Sequence, residues 1–180
     1  MTISYRPLRA EDFPRLAGWQ ASPHVARWWQ EPTDLESITA EYDPTVDGSD
    51  PTEVFVIESE GRPVGIIQRY LLADYPAWAA SLYLSDAAGI DYYLGDPDLV
   101  GRGLGSRVIA RFARDTLIHH GGAARVVAAP QQANVASWRA LEKAGFVRIW
   151  AGQLDSDHPS DAGPAYVYAL GRDNSPGPVK

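Results

Sequence analysis

Hydrophobic and polar positions along the chain alternate with two periods, and those periods predict its strands and helices. Segments in which apolar residues recur at every second position, or run together briefly, predict β-strands. These segments are residues 3–8, 54–57, 63–72, 90–94, 125–129, 146–151 and 165–170. Segments in which apolar residues recur at spacings of three and four predict α-helices. These are residues 13–19, 24–29, 33–42, 106–119 and 134–144.

Residues with special turn chemistry mark the ends of these elements. Glu60-Gly61 stands between two strands and predicts a tight hairpin turn. The polar segment 43–52 predicts a loop, and residues 73–88 predict a long irregular connection. The predicted helix starts are Ser22-Pro23, the capping box from Thr33 to Glu36, and Asn134. The predicted helix ends are Gly121-Gly122 and Gly145.

The order of the elements predicts the fold class. A hairpin requires antiparallel pairing, whereas strand–helix–strand units favour parallel pairing. We therefore expect an α/β (α+β) fold with a central mixed, mostly antiparallel sheet of about six to seven strands, flanked by helices on both faces. One domain is expected over residues 1–172, followed by a flexible C-terminal tail at 173–180.

Composition excludes several classes of function. The 180 residues carry a formal net charge of −7, which disfavours nucleic-acid binding because phosphate contact needs a basic face. The same charge serves solubility or attracts a cationic substrate. The chain has no cysteine, so disulfides, thiolate metal sites and cysteine nucleophiles are excluded. Without a secretory signal or a long apolar run, we expect a cytoplasmic protein, monomeric or homodimeric, without metal or membrane contact.

A glycine-rich turn lies between the predicted strand at 90–94 and the helix at 106–119. Gly101, Gly103 and Gly105 stand at alternate positions, where they let the backbone approach a ligand closely. The following helix start presents free N–H groups and a positive dipole end, so the segment suits a pyrophosphate. The same spacing also suits a plain tight turn, but it fits neither the Rossmann fingerprint nor the Walker A motif.

The glycine turn and a second motif together resemble the GCN5-related N-acetyltransferase (GNAT) superfamily. The first motif is Arg102-Gly103-Leu104-Gly105, and the second is the segment 134–146, which ends in Glu-Lys-Ala-Gly-Phe. In this superfamily the first motif cradles the coenzyme A pyrophosphate, and the second forms the helix beside the pantetheine arm. The resemblance therefore implies a GNAT-like domain that uses acetyl-CoA as acyl donor.

Within the superfamily the chain most resembles the aminoglycoside 6′-N-acetyltransferases. The similarity covers most of the chain and includes Trp28-Trp29, Gly89-Ile90-Asp91 and Gly163-Pro164-Ala165. It implies acetylation of an amine on a small cationic molecule. Val100 stands where the superfamily usually has Gln or Arg, so its contact would be through the backbone. The coenzyme-binding residues that the resemblance implies are Tyr93, Leu94, Val100, Gly101, Arg102, Gly103, Leu104, Gly105, Ser106, Asn134 and Ser137.

Asp91 is the candidate general base. It lies in the strand that leads to the glycine turn, and its side chain would alternate with those of Ile90 and Tyr92. The resemblance implies the same role, because the matching Asp in the aminoglycoside enzymes accepts a proton and binds substrate. A water-exposed carboxylate at a strand edge is the alternative interpretation. The resemblance also implies that backbone N–H groups near Tyr93 and Leu94 stabilise the developing oxyanion.

The sequence does not assign the proton donor for the departing thiolate. Many superfamily members have a Tyr in the second motif where this chain has Leu141, and a leucine side chain cannot donate a proton. The thiolate could also leave unprotonated, since a thiol has a pKa of about 8.5. The tyrosines that could replace the missing one are Tyr92, Tyr93, Tyr166 and Tyr168.

Aromatic and acidic residues predict the acceptor-binding surface. Trp28, Trp29 and Trp78 lie in segments that flank the acceptor in the resembled enzymes, and their ring faces suit sugars and ammonium groups. Each ring could instead belong to the core. Trp28 and Trp29 are neighbours on one helix and cannot both point inward, so one is expected to face the cleft. Asp91 and Asp161 are the candidate ligands for substrate amines.

Departures from the family pattern leave alternatives open. Ala129 precedes Pro130 where the aminoglycoside enzymes often have an Asp, so one contact to a substrate amine is missing. The enzyme alternative is acylation of another amine, in a hydroxylysine siderophore precursor, a polyamine or an amino sugar. The non-enzyme alternative is a coenzyme A- or drug-binding module without turnover, which Leu141 favours. His24 is interpreted as a helix-capping residue rather than a substrate ligand.

Overall fold

The protein is described by a computed structural model that covers residues 2–119, 123–156 and 158–172. The strands are β1 (Ile3–Pro7), β2 (Glu53–Ser59), β3 (Arg62–Leu71), β4 (Ala87–Leu94), β5 (Arg125–Ala128), β6 (Val147–Leu154) and β7 (Gly163–Gly171). The helices are α1 (Phe13–Gln20), α2 (Pro23–Trp29), α3 (Leu35–Asp47), α4 (Pro76–Leu82), α5 (Leu104–His119) and α6 (Val135–Lys143).

The strands form a mixed sheet, as the element order predicts. Their order is β1-β2-β3-β4-β5-β7-β6. β4 and β5 pair in parallel, whereas β1 with β2, β2 with β3, β5 with β7 and β6 with β7 pair antiparallel. The hairpin between β2 and β3 is confirmed. Both of its turn residues, Glu60 and Gly61, have the positive φ (52° and 73°) that a two-residue turn of this kind requires.

The connection at residues 73–88 was predicted to be irregular. In the structure it contains α4 and the start of β4. Pro76 lies in the first turn of α4, where proline fits because its missing N–H would have no intrahelical acceptor. Leu82, the last residue of α4, is buried and anchors the C-terminal end of the helix. β4 begins at Ala87, earlier than the predicted Ile90. Short helices held by one or two buried residues leave little periodicity to read.

The third helix also departs from its prediction. Its cap is Asp34, whose Oδ1 accepts a hydrogen bond of 2.9 Å from the N–H of Ser37. The helix continues beyond Tyr42 and through Pro44 to its last residue, so part of the segment predicted as a loop is helical. Pro44 has no N–H and so removes one backbone hydrogen bond of the helix, but it does not end the helix. The helix ends at Gly48, which has a φ of 81°.

Several predicted features lie at or beyond the limits of the described residues. The predicted helix end at Gly121-Gly122 and the predicted tail at 173–180 lie outside them. The domain boundary predicted at residue 172 coincides with the last described residue and stays a prediction. In the part of the chain that the structure covers, no helix combines the length and hydrophobicity needed to cross a membrane.

The chain divides into two compact units. The first unit is Met1–Arg69 with Asp91–Arg102, and the second unit is Tyr70–Ile90 with Gly103–Lys180. Each unit has a hydrophobic core of its own, named here the first core and the second core. The first core consists of Leu8, Phe13, Leu16, Val25, Ile38, Tyr42, Val54, Val56, Ile66 and Tyr93. The second core consists of Leu72, Leu82, Ala87, Val127, Leu154, Ala165 and Val167.

A partly buried ion pair stabilises the first unit. The guanidinium of Arg6 donates two hydrogen bonds of 2.7 Å to the carboxylate of Asp12 and a third, of 3.2 Å, to Glu58. Only 7% of the Asp12 side chain is exposed. The hydrogen bond from Arg6 outweighs the effect of burial and lowers the pKa of Asp12 below its ordinary value.

Replacing Asp12 with Asn is expected to lower the free energy of unfolding by about 2–3 kcal/mol at pH 7, because it leaves Arg6 without its bidentate partner. The pKa of Asp12 is lower in the folded than in the unfolded chain, so its contribution is fully present above about pH 4. It is lost as the pH falls through the folded-state pKa. Urea unfolding of both proteins between pH 3 and pH 7 measures the difference.

Arg15 provides the control for this prediction. Its guanidinium lies 3.9 Å from Asp12, and 47% of its side chain is exposed, so Arg15→Gln should cost less than about 0.5 kcal/mol. A difference between the wild type and the Asp12→Asn protein that did not shrink on acidification would contradict the assignment.

Candidate active site

The glycine-rich turn has the backbone shape that its sequence predicts. Gly101 and Gly103 have φ values of +78° and +77°, in the left-handed region where glycine is favoured. α5 begins at Leu104, so the N–H groups of its first turn, which have no acceptor within the helix, lie at this turn. The hydroxyl of Ser106 donates to the Gly103 carbonyl at 3.1 Å. The segment can therefore offer several N–H donors to an anion.

Gly105 is a glycine that the protein's own packing does not require. It lies inside α5, its φ is not in the left-handed region, and a Cβ added to it would meet nothing within 4 Å. A glycine inside a helix costs about 1 kcal/mol relative to alanine. The open space at Gly105 lies at the first turn of α5, so it leaves room for a ligand beside the N–H groups of that turn. This glycine is the feature of the turn that fits a bound pyrophosphate best.

The other residues predicted to bind coenzyme at the glycine-rich turn differ in how exposed they are. Val100 is 41% exposed, and Arg102 is exposed as well. Leu104 is 1% exposed, so its side chain is core and only its backbone could contact a ligand. Whether these residues contact a coenzyme stays a prediction.

The second motif forms α6 as predicted. Asn134 caps the helix, and its Oδ1 accepts a hydrogen bond of 3.2 Å from the N–H of Ser137, which is half-buried. Leu141 has no exposed surface at all. The position where many relatives would have a tyrosine is therefore filled by a core side chain.

Two of the four tyrosines considered as proton donors are poorly suited to that role. Tyr93 belongs to the first core, and burial raises the pKa of its hydroxyl. Tyr168 is 1% exposed and donates to the carboxylate of Glu142 at 2.9 Å; burial and this hydrogen bond raise the pKa of Tyr168 to about 12. A raised pKa makes a weaker acid. Tyr92, Tyr166 and departure of an unprotonated thiolate remain.

Asp91 is half-buried on β4, next to a residue that orients it. The side-chain amide of Gln68, on β3, donates to Asp91 Oδ2 at 3.1 Å. Ile90 is buried, and the carboxylate is more exposed than that neighbour, consistent with the alternation that a strand imposes. Asp91 is therefore an oriented carboxylate and not a loosely solvated one.

The end of β4 turns the carbonyl of Tyr93 toward Gly65 of β3. A Cβ built on Gly65 of β3 would meet the Tyr93 carbonyl oxygen first and the carbonyl carbon at 3.1 Å, so this carbonyl points toward Gly65. The C=O and N–H of a trans peptide point in opposite directions. The N–H of Leu94, in the same peptide, therefore points away from Gly65. Gly65 is needed because no side chain would fit beneath the Tyr93 carbonyl.

The next peptide supports the same geometry. The N–H of Gly95 donates to the carbonyl of Val64, also on β3, at 2.8 Å. The Leu94 carbonyl, at the other end of this peptide, must then point away from β3. Both backbone polar groups of Leu94 consequently face away from β3. Tyr93 and Leu94 are the two residues predicted to stabilise an oxyanion, and it is Leu94 whose N–H faces away from β3.

The adjacent tryptophans of α2 have different surroundings. Trp29 packs against the first core, with its ring edge-on to that of Tyr93 at a centroid distance of 4.9 Å. Trp28 is half-buried and lies beneath the guanidinium of Arg27, which is 4.6 Å from the ring centroid. Trp29 is thus the inward-facing member of the pair. Trp28 is the better candidate for the predicted acceptor contact.

The remaining predicted acceptor residues belong to the second unit. Trp78 of α4 packs against the second core, and its indole N–H donates to the hydroxyl of Tyr70 at 3.2 Å. Asp161 is half-buried, and its backbone N–H donates to the His158 carbonyl at 3.0 Å. Substrate binding by either residue stays a prediction. Among the described residues, no group of three or more His, Asp or Glu side chains could hold a metal ion.

Comparisons with known proteins find relatives in sequence and in fold. Over 152 residues the chain is 26% identical to the aminoglycoside N(6′)-acetyltransferase type 1 of Klebsiella pneumoniae, covering 82% of this chain and 75% of that protein. The fold matches a crystal structure of aminoglycoside acetyltransferase AAC(6′)-Ib with coenzyme A and kanamycin at a TM-score of 0.78, with 22% identity and 96% of each chain covered. The same enzyme with ribostamycin and coenzyme A gives a TM-score of 0.79, with 22% identity over 97% and 96% of the chains.

One family model matches enough of the chain to show the family to which the chain belongs. The model of the acetyltransferase (GNAT) domain matches residues 9–154, which include the candidate base, the glycine turn and the helix with the second motif. More than half of the chain is covered, and the observed sheet order and capped helices accompany the match. The chain belongs to the GNAT acetyltransferase family.

Proposed function

We propose that this chain is an acetyl-CoA-dependent N-acetyltransferase that acetylates the 6′-amine of an aminoglycoside. The names of its relatives support the acceptor, since they are aminoglycoside N(6′)-acetyltransferases or complexes with kanamycin and ribostamycin. The observation that carries the acyl donor is Gly105, a helical glycine beside open space at the start of α5. The formal net charge of −7 would attract a polycationic acceptor.

At the donor end, the backbone of the glycine turn would hold the coenzyme A pyrophosphate. The N–H groups at the start of α5 donate to its oxygens, and the positive end of the helix dipole favours its charge. When bound, acetyl-CoA supplies a thioester, an acyl group that an amine can attack. The open space at Gly101, Gly103 and Gly105 allows the anion to come within hydrogen-bond distance of the backbone.

At the reacting end, Asp91 would attract the acceptor's ammonium group and take its proton, directly or through a water molecule. An amine must lose its proton before it can attack, because an ammonium has no lone pair. Gln68 holds one carboxylate oxygen by its hydrogen bond of 3.1 Å, which fixes the orientation of the carboxylate. The N–H of Leu94, which points away from β3, is proposed as the donor to the developing oxyanion.

At the acceptor end, Trp28 and Asp161 are proposed as contacts for the amino sugar. The exposed part of the Trp28 ring would stack on a sugar or a cationic group, worth about 0.5–2 kcal/mol. Arg27 lies over that ring and would have to move or share it, since its guanidinium is 4.6 Å from the centroid. Asp161, in the second unit, is proposed independently as a ligand for an amine.

One observation favours a second candidate acceptor. Ala129 is partly buried against the second core, so the position where the resembled enzymes often have a carboxylate carries a methyl group with a structural role. A smaller amine that needs fewer ionic contacts, such as a hydroxylysine siderophore precursor, a polyamine or an amino sugar, would not require that carboxylate.

Thiol release from acetyl-CoA, followed with a disulfide dye, tests the proposal. The acceptors are kanamycin, tobramycin and ribostamycin, with lysine, hydroxylysine, spermidine and glucosamine as alternatives. Release with aminoglycosides that have a free 6′-amine supports the leading proposal, and paromomycin, which has a 6′-hydroxyl, should release little. Release only with the simpler amines supports the second candidate. Coenzyme A binding without release from any acceptor would indicate a binding module.

Replacing Gly105 with Ala tests the donor site with two opposite effects. The added methyl meets no protein atom and relieves a helical glycine, so the free energy of unfolding should rise by about 0.5–1 kcal/mol. The same methyl occupies the space proposed for the pyrophosphate, so KM for acetyl-CoA should rise about tenfold or more. Thermal unfolding and initial rates at varied acetyl-CoA measure the two effects.

Gly18 provides a matched control for this substitution. It also lies inside a helix, α1, and a Cβ there would likewise meet nothing within 4 Å. Gly18→Ala should stabilise the protein by a similar amount and leave KM for acetyl-CoA unchanged. Stabilisation by Gly105→Ala without any change in KM would place the coenzyme elsewhere.

A further inference from the structure

His24 contacts the strand that carries the candidate base, although the proposed chemistry gives this residue no part. Its ring is half-buried, and Nε2 lies 2.9 Å from the carbonyl oxygen of Leu94, the last residue of β4. The cap of α2 is Ser22, so the capping role predicted for His24 is not what the structure shows. A carbonyl oxygen only accepts hydrogen bonds, and therefore Nε2 must carry the ring proton.

The Leu94 carbonyl belongs to a peptide that is held from both ends. Its N–H, that of Gly95, donates to Val64 at 2.8 Å while its carbonyl accepts from His24 at 2.9 Å. The Cα of Gly95 is packed directly against the indole of Trp19, which occupies the place a Cβ would need. This peptide cannot rotate without breaking one of the two hydrogen bonds. Its orientation restricts φ and ψ of Leu94, the two torsions that join it to the peptide carrying the Leu94 N–H.

We infer that His24 is a positioning residue for Leu94. Its Nε2–H holds the Leu94 carbonyl, and thereby limits the torsions of Leu94 on which the direction of the N–H that would stabilise the oxyanion depends. The inference rests on the proposed function, because only acyl transfer gives that N–H a task. It assigns His24 no proton transfer through Nε2, since that nitrogen's proton is engaged by the carbonyl.

A separate contact keeps α2 in place without His24. The ring of Trp29 packs edge-on against that of Tyr93, and Val25, on the same helix, is buried in the first core. Substitution of His24 should therefore leave the helix attached and the protein folded. Its effect would be confined to the freedom of the Leu94–Gly95 peptide.

Two substitutions separate the hydrogen bond from the bulk of the ring. Glutamine places an N–H donor at about the position of Nε2, whereas leucine fills a comparable space without a donor. His24→Leu is expected to lower kcat about tenfold, with KM for acetyl-CoA unchanged, because the oxyanion donor is misdirected rather than removed. His24→Gln should recover most of the wild-type kcat. Equal losses in both variants, or none in His24→Leu, would overturn the inference.

A measurement that needs no turnover accompanies the kinetics. ¹⁵N-labelled wild-type protein should show His24 as the Nε2–H tautomer in long-range ¹H–¹⁵N spectra, and the Leu94–Gly95 amides should exchange faster in His24→Leu. A wild-type ring protonated at Nδ1 alone would refute the contact even if the leucine variant failed to fold. A wild type with the expected tautomer but no thiol release from any acceptor would instead refute the proposed function.

Discussion

Asp91→Asn is expected to lower kcat by a factor of about 10² to 10³, the range that loss of a general base commonly causes. Asparagine keeps the shape of the side chain and can still accept the hydrogen bond from Gln68, which is 3.1 Å long in the wild type. It cannot take a proton or balance the charge of an ammonium group. Steady-state kinetics at saturating acetyl-CoA, with the acceptor identified by thiol release, measures the loss.

The controls for Asp91→Asn separate catalysis from binding and folding. KM for acetyl-CoA should remain within about twofold, since the carboxylate does not contact the donor in the proposed mechanism. Asp98→Asn, which also removes one negative charge but lies at an exposed position, should retain wild-type kcat. Full turnover by the Asp91→Asn protein would exclude Asp91 as the base. The proton of the acceptor's ammonium group would then pass directly to water.

Gly65→Ala is the second substitution for which we expect a large effect. The added methyl would clash with the Tyr93 carbonyl and lie 2.9 Å from the Cα of Leu94, and both are backbone atoms that no side-chain rotation can move. Relief requires a shift of β3 or of the end of β4. We expect the free energy of unfolding to fall by about 2–3 kcal/mol and kcat to fall as well, because the Leu94 N–H is displaced.

Urea unfolding and kinetics at a temperature where the variant is fully folded measure the two effects of Gly65→Ala separately. Gly18→Ala again serves as the matched control in the same unit, since its methyl has free space. If Gly65→Ala lost stability but kept the wild-type kcat, the Leu94 N–H would not be the oxyanion donor.

The sequence was most informative where a residue's local chemistry decides its conformation. The turn at Glu60-Gly61 and the helix cap at Asn134 are local features, and the structure agrees with both predictions. Pro76 is local as well, but α4 is too short for its apolar positions to show a period, and the segment reads as a loop. The end of α3 was misjudged because Pro44 was assigned to a loop, whereas it lies inside the helix, which continues to Asp47.

The candidate site depends on contacts between residues distant in sequence, which no local pattern shows. The residue types at Asp91 and the glycine turn could be recognised, but not the hydrogen bond from Gln68, 23 positions earlier. The packing of Trp29 rather than Trp28 against the core, and the contact of His24 with Leu94, 70 positions later, likewise need the folded chain. The sequence predicts that only one of the two tryptophans faces inward but not which one, and nothing in it indicates the contacts of Gln68 or His24.

The discontinuity of the first unit has a consequence for synthesis on the ribosome. Its core includes Tyr93, yet the chain leaves this unit after Arg69 and returns only at Asp91. When the first 69 residues have emerged, Leu16 and Ile38 still lack the aromatic ring against which their core closes. The core of the nascent segment is therefore complete only when the end of β4 has been made, and the apolar surface that Tyr93 covers is open to chaperones during that interval.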